Sequence, residues 1–322
     1  MFVSALEWVV TLGATTVVLL VDVTVMARRS GEPTMRNCAI ALSAYVGLAV
    51  CFGIWTWYFH GQRFALEFFA GWLTEYSLSI DNLFVFVIIM TSFNVPEVYQ
   101  RQALFVGILI ALISRGIFIA LGVAAIQRFS WVFYLFGAFL IYTAIRLARG
   151  AGHDANVENA AVGFARRHLN ATDSWHGLRL YVKEGSRWSL TPMFLVVLAL
   201  GVADLIFALD SIPAIFGLTR EAYLVLAANV FALMGLRQLY FLLANLLQRL
   251  VYLSRGLGVV LSLIGIKLML QALRENDLPF INGGRPVDVP EVPTLLTLAA
   301  IVVTLAVTAA ASLYATRAGN ND

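Results

Sequence analysis

The chain has 322 residues, of which 60% are hydrophobic and only 13% are charged, and its mean hydropathy is +0.83. A soluble domain carries roughly 25% charged residues, so the composition excludes a soluble globular protein and indicates a polytopic membrane protein in contact with the lipid bilayer. The net charge of +3 does not indicate a nucleic-acid partner, because the basic residues mostly flank the apolar segments.

Nine apolar segments are each close to the roughly 20 residues that a helix needs to cross a bilayer. They predict an all-α fold with about nine transmembrane helices, near residues 6–26, 38–59, 66–90, 102–126, 129–148, 191–216, 222–245, 256–272 and 293–316. With the N-terminus outside, most of the 22 Lys and Arg residues lie in inner loops. The positive-inside rule therefore predicts an N-out, C-in topology.

The first two predicted spans carry few polar groups. Asp22 precedes Arg28 and Arg29 at the inner end of the first span, so it is an interfacial carboxylate or shares in a cation pathway. Cys38 and Cys51 are several turns apart on the second span, so they cannot pair with each other and are interpreted as small apolar fillers.

The third span contains the stretch 75–82, with Glu75, Asp81 and Asn82 inside predicted membrane helix. Charged groups in hydrocarbon are costly and usually functional. At about 100° per residue, Glu75 and Asn82 share one helix face, whereas Asp81 points roughly 120° away. Either the helix unwinds there, or the two carboxylates face different neighbours.

The fourth span carries Arg115 near its middle. An arginine keeps its proton even in the membrane, so it needs an anion, and the carboxylates of the neighbouring spans are the obvious supply. Arg115 is interpreted as half of a structural salt bridge, with an electrostatic role in coupling as the alternative.

Residues 150–190 form the one substantial soluble segment, predicted to lie in the cytoplasm. Residues 160–169 suit a short surface helix, and residues 178–190 alternate like a small hairpin. His153, His168 and His176 show no recognised ligand spacing, so a solvated loop is expected, with metal sensing as the alternative.

The sixth span repeats the acidic pattern of the third. Asp204, Asp210 and Ser211 have the spacing of Glu75, Asp81 and Asn82. Pro213 follows, and since proline lacks the N–H that a helix needs, the helix is expected to break beside Asp210. Irregular backbone at membrane depth is tolerated where it lines a cavity.

The repetition continues through the next two spans. Arg237 follows Asn229 by the same interval at which Arg115 follows Gly107, and Lys267 closes the eighth span as Arg146 closes the fifth. Two three-helix units of this kind enter the membrane from opposite sides, which predicts the inverted repeats found in many secondary transporters. The predicted parts are two N-terminal helices (1–65), the first repeat (66–149), the cytoplasmic loop (150–190), the second repeat (191–273), and an outer loop with the last helix (274–322).

The repeats supply only hard oxygen donors, namely Glu75, Asp81, Asn82, Asp204, Asp210 and Ser211. Neither motif contains Cys or His, which favours calcium, magnesium or manganese over copper or zinc. Four buried carboxylates cannot all stay ionised without partners, so protons should bind when the cation leaves, as in a proton-coupled antiporter. The alternative is a structural network of these carboxylates with Arg115 and Arg237.

Four stretches also resemble the TerC family, and within it the Alx-type branch: residues 75–86, 136–140, 204–216 and 229–237. The resemblance covers nearly the whole chain. It implies a multi-pass protein of the bacterial inner membrane in the LysE-like transporter group, linked to manganese export in the Alx branch and to tellurite resistance elsewhere. Carried over by position, the motif acids are Glu75, Asp81, Asp204 and Asp210, with Asn82 and Ser211 beside them.

The sequence is thus expected to encode an exporter of a divalent cation, foremost Mn²⁺, in exchange for protons. It is not expected to be an enzyme or to hold a cofactor, and its oligomeric state is open, a homo-oligomer included. One alternative is a membrane scaffold that recruits metal-stress proteins through residues 150–190. The other is an intramembrane aspartyl protease, whose Tyr-Asp and Gly-x-Gly-Asp signatures are absent at Asp81 and Asp210.

Overall fold

The computed structural model describes residues 1, 3–28, 35–129, 131–149, 175, 179–184, 187–243, 252–276, 278 and 281–318. The predicted surface helix 160–169 and the three loop histidines lie outside these residues. Almost all of the described chain is helical. Its helices are α1 (Ala5–Arg28), α2 (Met35–His60), α3 (Gln62–Ser92), α4 (Glu97–Arg128), α5 (Val132–Ala148), α6 (Pro192–Phe216), α7 (Ala222–Leu233), α8 (Leu236–Leu243), α9 (Leu253–Arg274) and α10 (Thr294–Ala318).

Helix occupies part of every segment that the sequence predicts to span the membrane. Among the described residues, six helices are long and apolar enough to cross a bilayer: Met35–His60, Gln62–Ser92, Val98–Ile126, Pro192–Phe216, Leu253–Arg274 and Thr294–Ser312. Ala5–Val18, Val132–Ala148 and Ala222–Leu233 are shorter apolar helices. The all-α membrane fold is therefore confirmed, while the nine-span topology and the inverted repeats stay predictions.

The predicted hairpin before α6 is confirmed. Strands β1 (Tyr181–Glu184) and β2 (Arg187–Leu190) pair antiparallel, with Tyr181 opposite Leu190. Thr191 then caps α6 by accepting the Phe194 N–H, and Pro192 occupies the first turn, where a missing N–H costs nothing. Thr191 is fully buried, so the hairpin ends directly in the start of α6.

The central helices pack in three pairs: α3 contacts α7, α4 contacts α6, and α5 contacts α9. Helix α3 also lies against α6, and three contacts fix their relative direction. Glu67 meets Thr219, Gly71 meets Ile215, and Glu75 lies near Ser211. Each step toward the C-terminus of α3 is matched by an equal step toward the N-terminus of α6, so the two helices run antiparallel.

The expected break at Pro213 is wrong, because α6 continues as one helix to Phe216. Pro213 lies in the last turn, so the single hydrogen bond that it removes is lost close to where the helix ends anyway. Helix α3 is also continuous through residues 75–82. In α6 the two carboxylates of the motif, Asp204 and Asp210, therefore point to different sides of an intact helix.

The chain breaks instead within the predicted segment 222–245. Helix α7 ends at Leu233, Met234 is extended, and Gly235 has φ of 84° before α8 begins at Leu236. A positive φ is readily adopted by glycine. A side chain at Gly235 would also lie 3.0 Å from the Leu42 side chain of α2. Helix α4, which the predicted repeat equates with this segment, is continuous.

Helices α5 and α9 approach closely through two glycines. A Cβ on Gly265 would lie 3.1 Å from the Gly137 carbonyl oxygen, and one on Gly137 would lie 3.0 Å from the Gly265 carbonyl oxygen. Small residues let membrane helices pack backbone to backbone. Since a carbonyl oxygen cannot rotate away as a side chain can, a larger residue here must separate the helices.

We therefore expect Gly265→Val to lower the free energy of unfolding by about 1–3 kcal/mol through overpacking. Gly47→Val is the matched control, because nothing lies within 4 Å of a Cβ at Gly47. Thermal unfolding of the purified protein in detergent measures both. Equal melting temperatures for the two variants would show that the α5–α9 contact is looser than described.

Candidate cation site

A buried arginine lies where α3, α4 and α6 meet. The Arg115 side chain is only 1% exposed, and its Nη1 donates a hydrogen bond to Glu75 Oε2 at 2.6 Å. Its Nε lies 3.6 Å from Asp204 Oδ1. Glu75 and Asp204 are 0% and 2% exposed, so one guanidinium faces two carboxylates out of contact with solvent.

Two polar side chains complete the surroundings of Arg115. With its amide oriented to suit its neighbours, Asn82 accepts a hydrogen bond from Arg115 Nη2 at 3.2 Å and donates one to the Leu78 carbonyl at 3.0 Å. Ser114 Oγ donates to Asp204 Oδ2 at 2.8 Å. Glu75 and Asn82 both reach Arg115 because they are about two helical turns apart on one face of α3.

Among the side chains that the structure describes, the charges of this cluster do not balance. Arg115 contributes one positive charge, while Glu75 and Asp204 contribute two negative charges when both are ionised. An uncompensated buried charge is strongly unfavourable. The cluster can therefore be neutral overall only if it binds one proton or shares a further cation.

Three oxygen atoms on the adjoining surfaces of α3 and α6 lack a hydrogen-bond donor within the described part of the chain: Glu75 Oε1, Ser79 Oγ and Ser211 Oγ. Ser211 lies near the Glu75 carboxylate, but the two groups do not have the geometry of a hydrogen bond. Ser79 follows Glu75 by one turn. Carboxylate and hydroxyl oxygens are ligands of hard cations, so these atoms could bind one.

Asp210 lies apart from this cluster. Its carboxylate is half-buried and accepts a hydrogen bond from Thr143 Oγ1 of α5 at 3.2 Å, whereas Asp204 contacts α4. Successive acids of α6 thus face different helices, as the continuous helix requires. The side chains of Asp81 and Arg237 lie outside what the structure describes.

Of the predicted ligands, the structure brings Glu75, Asn82 and Asp204 together around Arg115 and places Ser211 next to Glu75. No group of three or more His, Cys, Asp or Glu side chains comes together among the residues whose side chains are described. A complete cage of carboxylates is therefore not assembled from that part of the chain.

Sequence reasoning missed three polar residues. Ser114 and Thr143 each donate to a motif acid, and Glu67 is a further buried carboxylate, 4% exposed, two turns before Glu75 on α3. Glu67 could have been identified from the sequence as a candidate functional residue, since it is an acid inside a predicted span. Ser114 and Thr143 could not have been identified in this way, because hydroxyl side chains are common in membrane helices and can form hydrogen bonds with their own backbone.

Comparisons with known proteins agree with the resemblance seen in the sequence. The integral membrane protein TerC family matches residues 60–320. An uncharacterized membrane protein of Mycobacterium tuberculosis is 45% identical over 319 residues, covering 98% of this chain and 80% of its own. An uncharacterized membrane protein of Myxococcus xanthus is 38% identical over 251 residues, covering 78% and 79%.

A third relative carries a descriptive name. The protein Alx of Escherichia coli (strain K12), named as a membrane-bound redox modulator, is 36% identical over 264 residues, covering 79% of this chain and 82% of its own. No solved structure matches the chain. The family match extends over most of the chain and includes every residue around Arg115, so this protein belongs to the TerC family of integral membrane proteins.

Proposed function

We propose that this protein exports a divalent metal cation, foremost Mn²⁺, across the bacterial inner membrane in exchange for protons. The Glu75–Arg115–Asp204 cluster is the centre of the transport site. Asn82 and Ser211 serve as neutral ligands, and Asp81 and Asp210 as further ligands and proton acceptors. The chain is oriented with its N-terminus outside and its C-terminus in the cytoplasm.

The observation that carries the proposal is the excess of negative charge among the described side chains of the buried cluster. With one guanidinium and two carboxylates, the cluster favours an additional positive charge, which either a proton or a metal cation can provide. Binding of one reduces the affinity for the other. That competition at a single site is the thermodynamic basis of exchange.

Arg115 acts as an internal counter-ion. Its guanidinium donates a hydrogen bond to Glu75 Oε2 and lies beside Asp204. Glu75 Oε1 and Ser211 Oγ are therefore the oxygens that a cation can reach first. As the metal binds, the carboxylates shift their interaction from the guanidinium to the metal. When the metal leaves, Arg115 and protons restore the charge balance.

The donor set supports a hard cation. The groups around Arg115 are two carboxylates, an amide and hydroxyls, with no thiolate or imidazole among the described neighbours. Oxygen ligands suit manganese, magnesium and calcium. Among these, Mn²⁺ is the cation that the family resemblance favours.

Helix packing supports the inverted repeats that the proposal includes. The first helix of each repeat packs against the second helix of the other: α3 against α7, and α6 against α4. The predicted repeat equates Glu75 with Asp204 and Asn82 with Ser211. Glu75 lies near Ser211, and Asn82 and Asp204 both approach Arg115, as a two-fold relation between the repeats would require.

Transport by the purified protein in proteoliposomes tests the proposal. Each of Mn²⁺, Mg²⁺, Ca²⁺ and Zn²⁺ is supplied with and without an imposed pH gradient. We expect Mn²⁺ movement that the gradient accelerates and that Glu75→Gln abolishes. Asp288→Asn is the control, because Asp288 is exposed in the segment before α10. Equal transport by the wild type and Glu75→Gln, or no metal movement in either, would contradict the proposal.

A further inference from the structure

A polar cavity of about 340 Å³ opens at the end of the molecule where α3 begins and α6 and α9 end. Charged residues of both signs line it, including Arg63, Glu67, Lys267, Arg274 and Glu291. At its rim, Arg274 Nη1 lies 2.9 Å from Glu291 and holds the pKa of that carboxyl below its usual value. The rim carboxylate therefore stays ionised in mildly acidic solution.

The cavity ends at a buried carboxylate. Glu67 Oε2 accepts a hydrogen bond from Thr219 Oγ1 at 2.7 Å, and Glu67 Oε1 accepts one from Arg63 Nε at 2.9 Å. The Arg63 side chain is 78% exposed, so one of the two groups that hold Glu67 can move into solvent without disturbing the core. Glu67 thus lies between the cavity and the helix interior.

The antiparallel α3–α6 pair leads from this carboxylate to the candidate cation site. Glu67 with Thr219, Gly71 with Ile215, and Glu75 with Ser211 are successive levels, one helical turn apart. Two turns of helix rise about 11 Å. The cavity and the Arg115 cluster are therefore separated along α3 by one apolar level.

That apolar level is one helical turn thick, and Ile215 is its largest side chain. A Cβ on Gly71 would lie 3.4 Å from Ile215 Cδ1 and 3.5 Å from Ala228 Cβ of α7, which is ordinary van der Waals contact. Ile215 and Ala228 are both 0% exposed. Gly71, Ile215 and Ala228 therefore pack in direct contact, and we call these three residues the apolar barrier.

Two polar side-chain atoms of α3 lie close to the barrier. Thr74 Oγ1 and Trp72 Nε1, both on α3, are buried and lack a hydrogen-bond partner among the described residues. Leaving such a donor unsatisfied costs about 1–3 kcal/mol. Opening of the barrier to water would supply both partners.

We infer that the cavity is the extracytoplasmic vestibule of the transport pathway, which admits hydrated divalent cations and protons, and that the apolar barrier is its gate, closed in this structure. This inference rests on the proposed transport function. Opening requires α3 to separate from both Ile215 of α6 and Ala228 of α7, since Gly71 packs against both.

Labelling of single cysteines tests where the vestibule faces. In a background carrying Cys38→Ala and Cys51→Ala, we expect Leu270→Cys, which lines the cavity, to react with a membrane-impermeant maleimide added to intact cells. Ala228→Cys, a buried residue of the closed gate itself, should react far more slowly. Labelling of Leu270→Cys only in inside-out membranes, or equal labelling at both positions, would overturn the inference.

A disulfide across the barrier tests the gate. Gly71→Cys with Ala228→Cys suits a bond, because the 3.5 Å between the two Cβ positions is typical of disulfides. We expect oxidation to reduce Mn²⁺ transport to the level of protein-free liposomes and reductant to restore it, with no effect of oxidant on either single variant. Full transport by the oxidised double variant, with the cross-link verified by mass spectrometry, would show that the apolar barrier is not the gate and would overturn the inference.

Failure of the proposed function has a different signature. The parent protein would then move no cation, reduced or oxidised, while Leu270→Cys and Ala228→Cys kept their difference in labelling. That result would leave a cavity and a barrier but remove the cation as the ligand, which also overturns the inference as stated.

Discussion

Arg115→Met is expected to lower the free energy of unfolding by about 3–5 kcal/mol, the cost of breaking a buried ion pair by removing one partner. Methionine has a similar length but leaves Glu75 and Asp204 buried without a counter-ion. Protonation of the two carboxyls would relieve the repulsion. The loss of stability should therefore be largest at high pH and shrink as the pH falls.

Thermal unfolding of the detergent-purified variant over a range of pH measures this effect. Arg274→Met is the control, because Arg274 and Glu291 form an ion pair at the surface, 42% and 76% exposed. Exposed pairs contribute about 0–1 kcal/mol. If both variants lost equally little stability at every pH, Arg115 would not be the counter-ion of the buried carboxylates.

Asp204→Asn is expected to abolish Mn²⁺ transport while leaving stability unchanged or slightly higher. The substitution removes the excess negative charge, so the remaining Glu75 and Arg115 balance each other. The asparagine oxygen can still accept the Ser114 hydrogen bond. Loss of a ligand should reduce metal affinity by more than the about 10–100-fold typical of outer-shell partners.

Two measurements on one preparation separate these effects, namely transport in proteoliposomes and thermal unfolding in detergent. Asp288→Asn, an exposed carboxylate of the segment before α10, is the control and should change neither. A variant that lost stability and transport together would make Asp204 a structural residue. Retained transport would remove it from the pathway.

Much of the site could be predicted because it depends on local geometry. The helical period places Glu75 and Asn82 on one face of α3, and both reach Arg115. The permanent charge of Arg115 requires a buried carboxylate nearby, whatever the exact packing. The repeated acidic spacing also led to Asp204, which contacts the same arginine.

The rest depends on tertiary packing that spacing does not encode. Pro213 suggested a break, but its position in the last turn of α6 makes the lost hydrogen bond unimportant. The actual break at Gly235 follows from the conformational freedom of glycine and from its contact with Leu42 of α2, which only the packed structure reveals. The contact of Asp210 with Thr143 likewise depends on where α5 packs.

The most direct test of the central claim is binding of Mn²⁺ to the purified protein, followed by electron paramagnetic resonance. Free Mn²⁺ has a sharp spectrum that broadens on binding, so the loss of signal reports the bound fraction. We expect the wild type to bind Mn²⁺ and to release it as the pH is lowered, and Glu75→Gln and Asp204→Asn to bind far less. Binding that is equal in all three proteins, or independent of pH, would contradict a proton-coupled cation site at the Glu75–Arg115–Asp204 cluster.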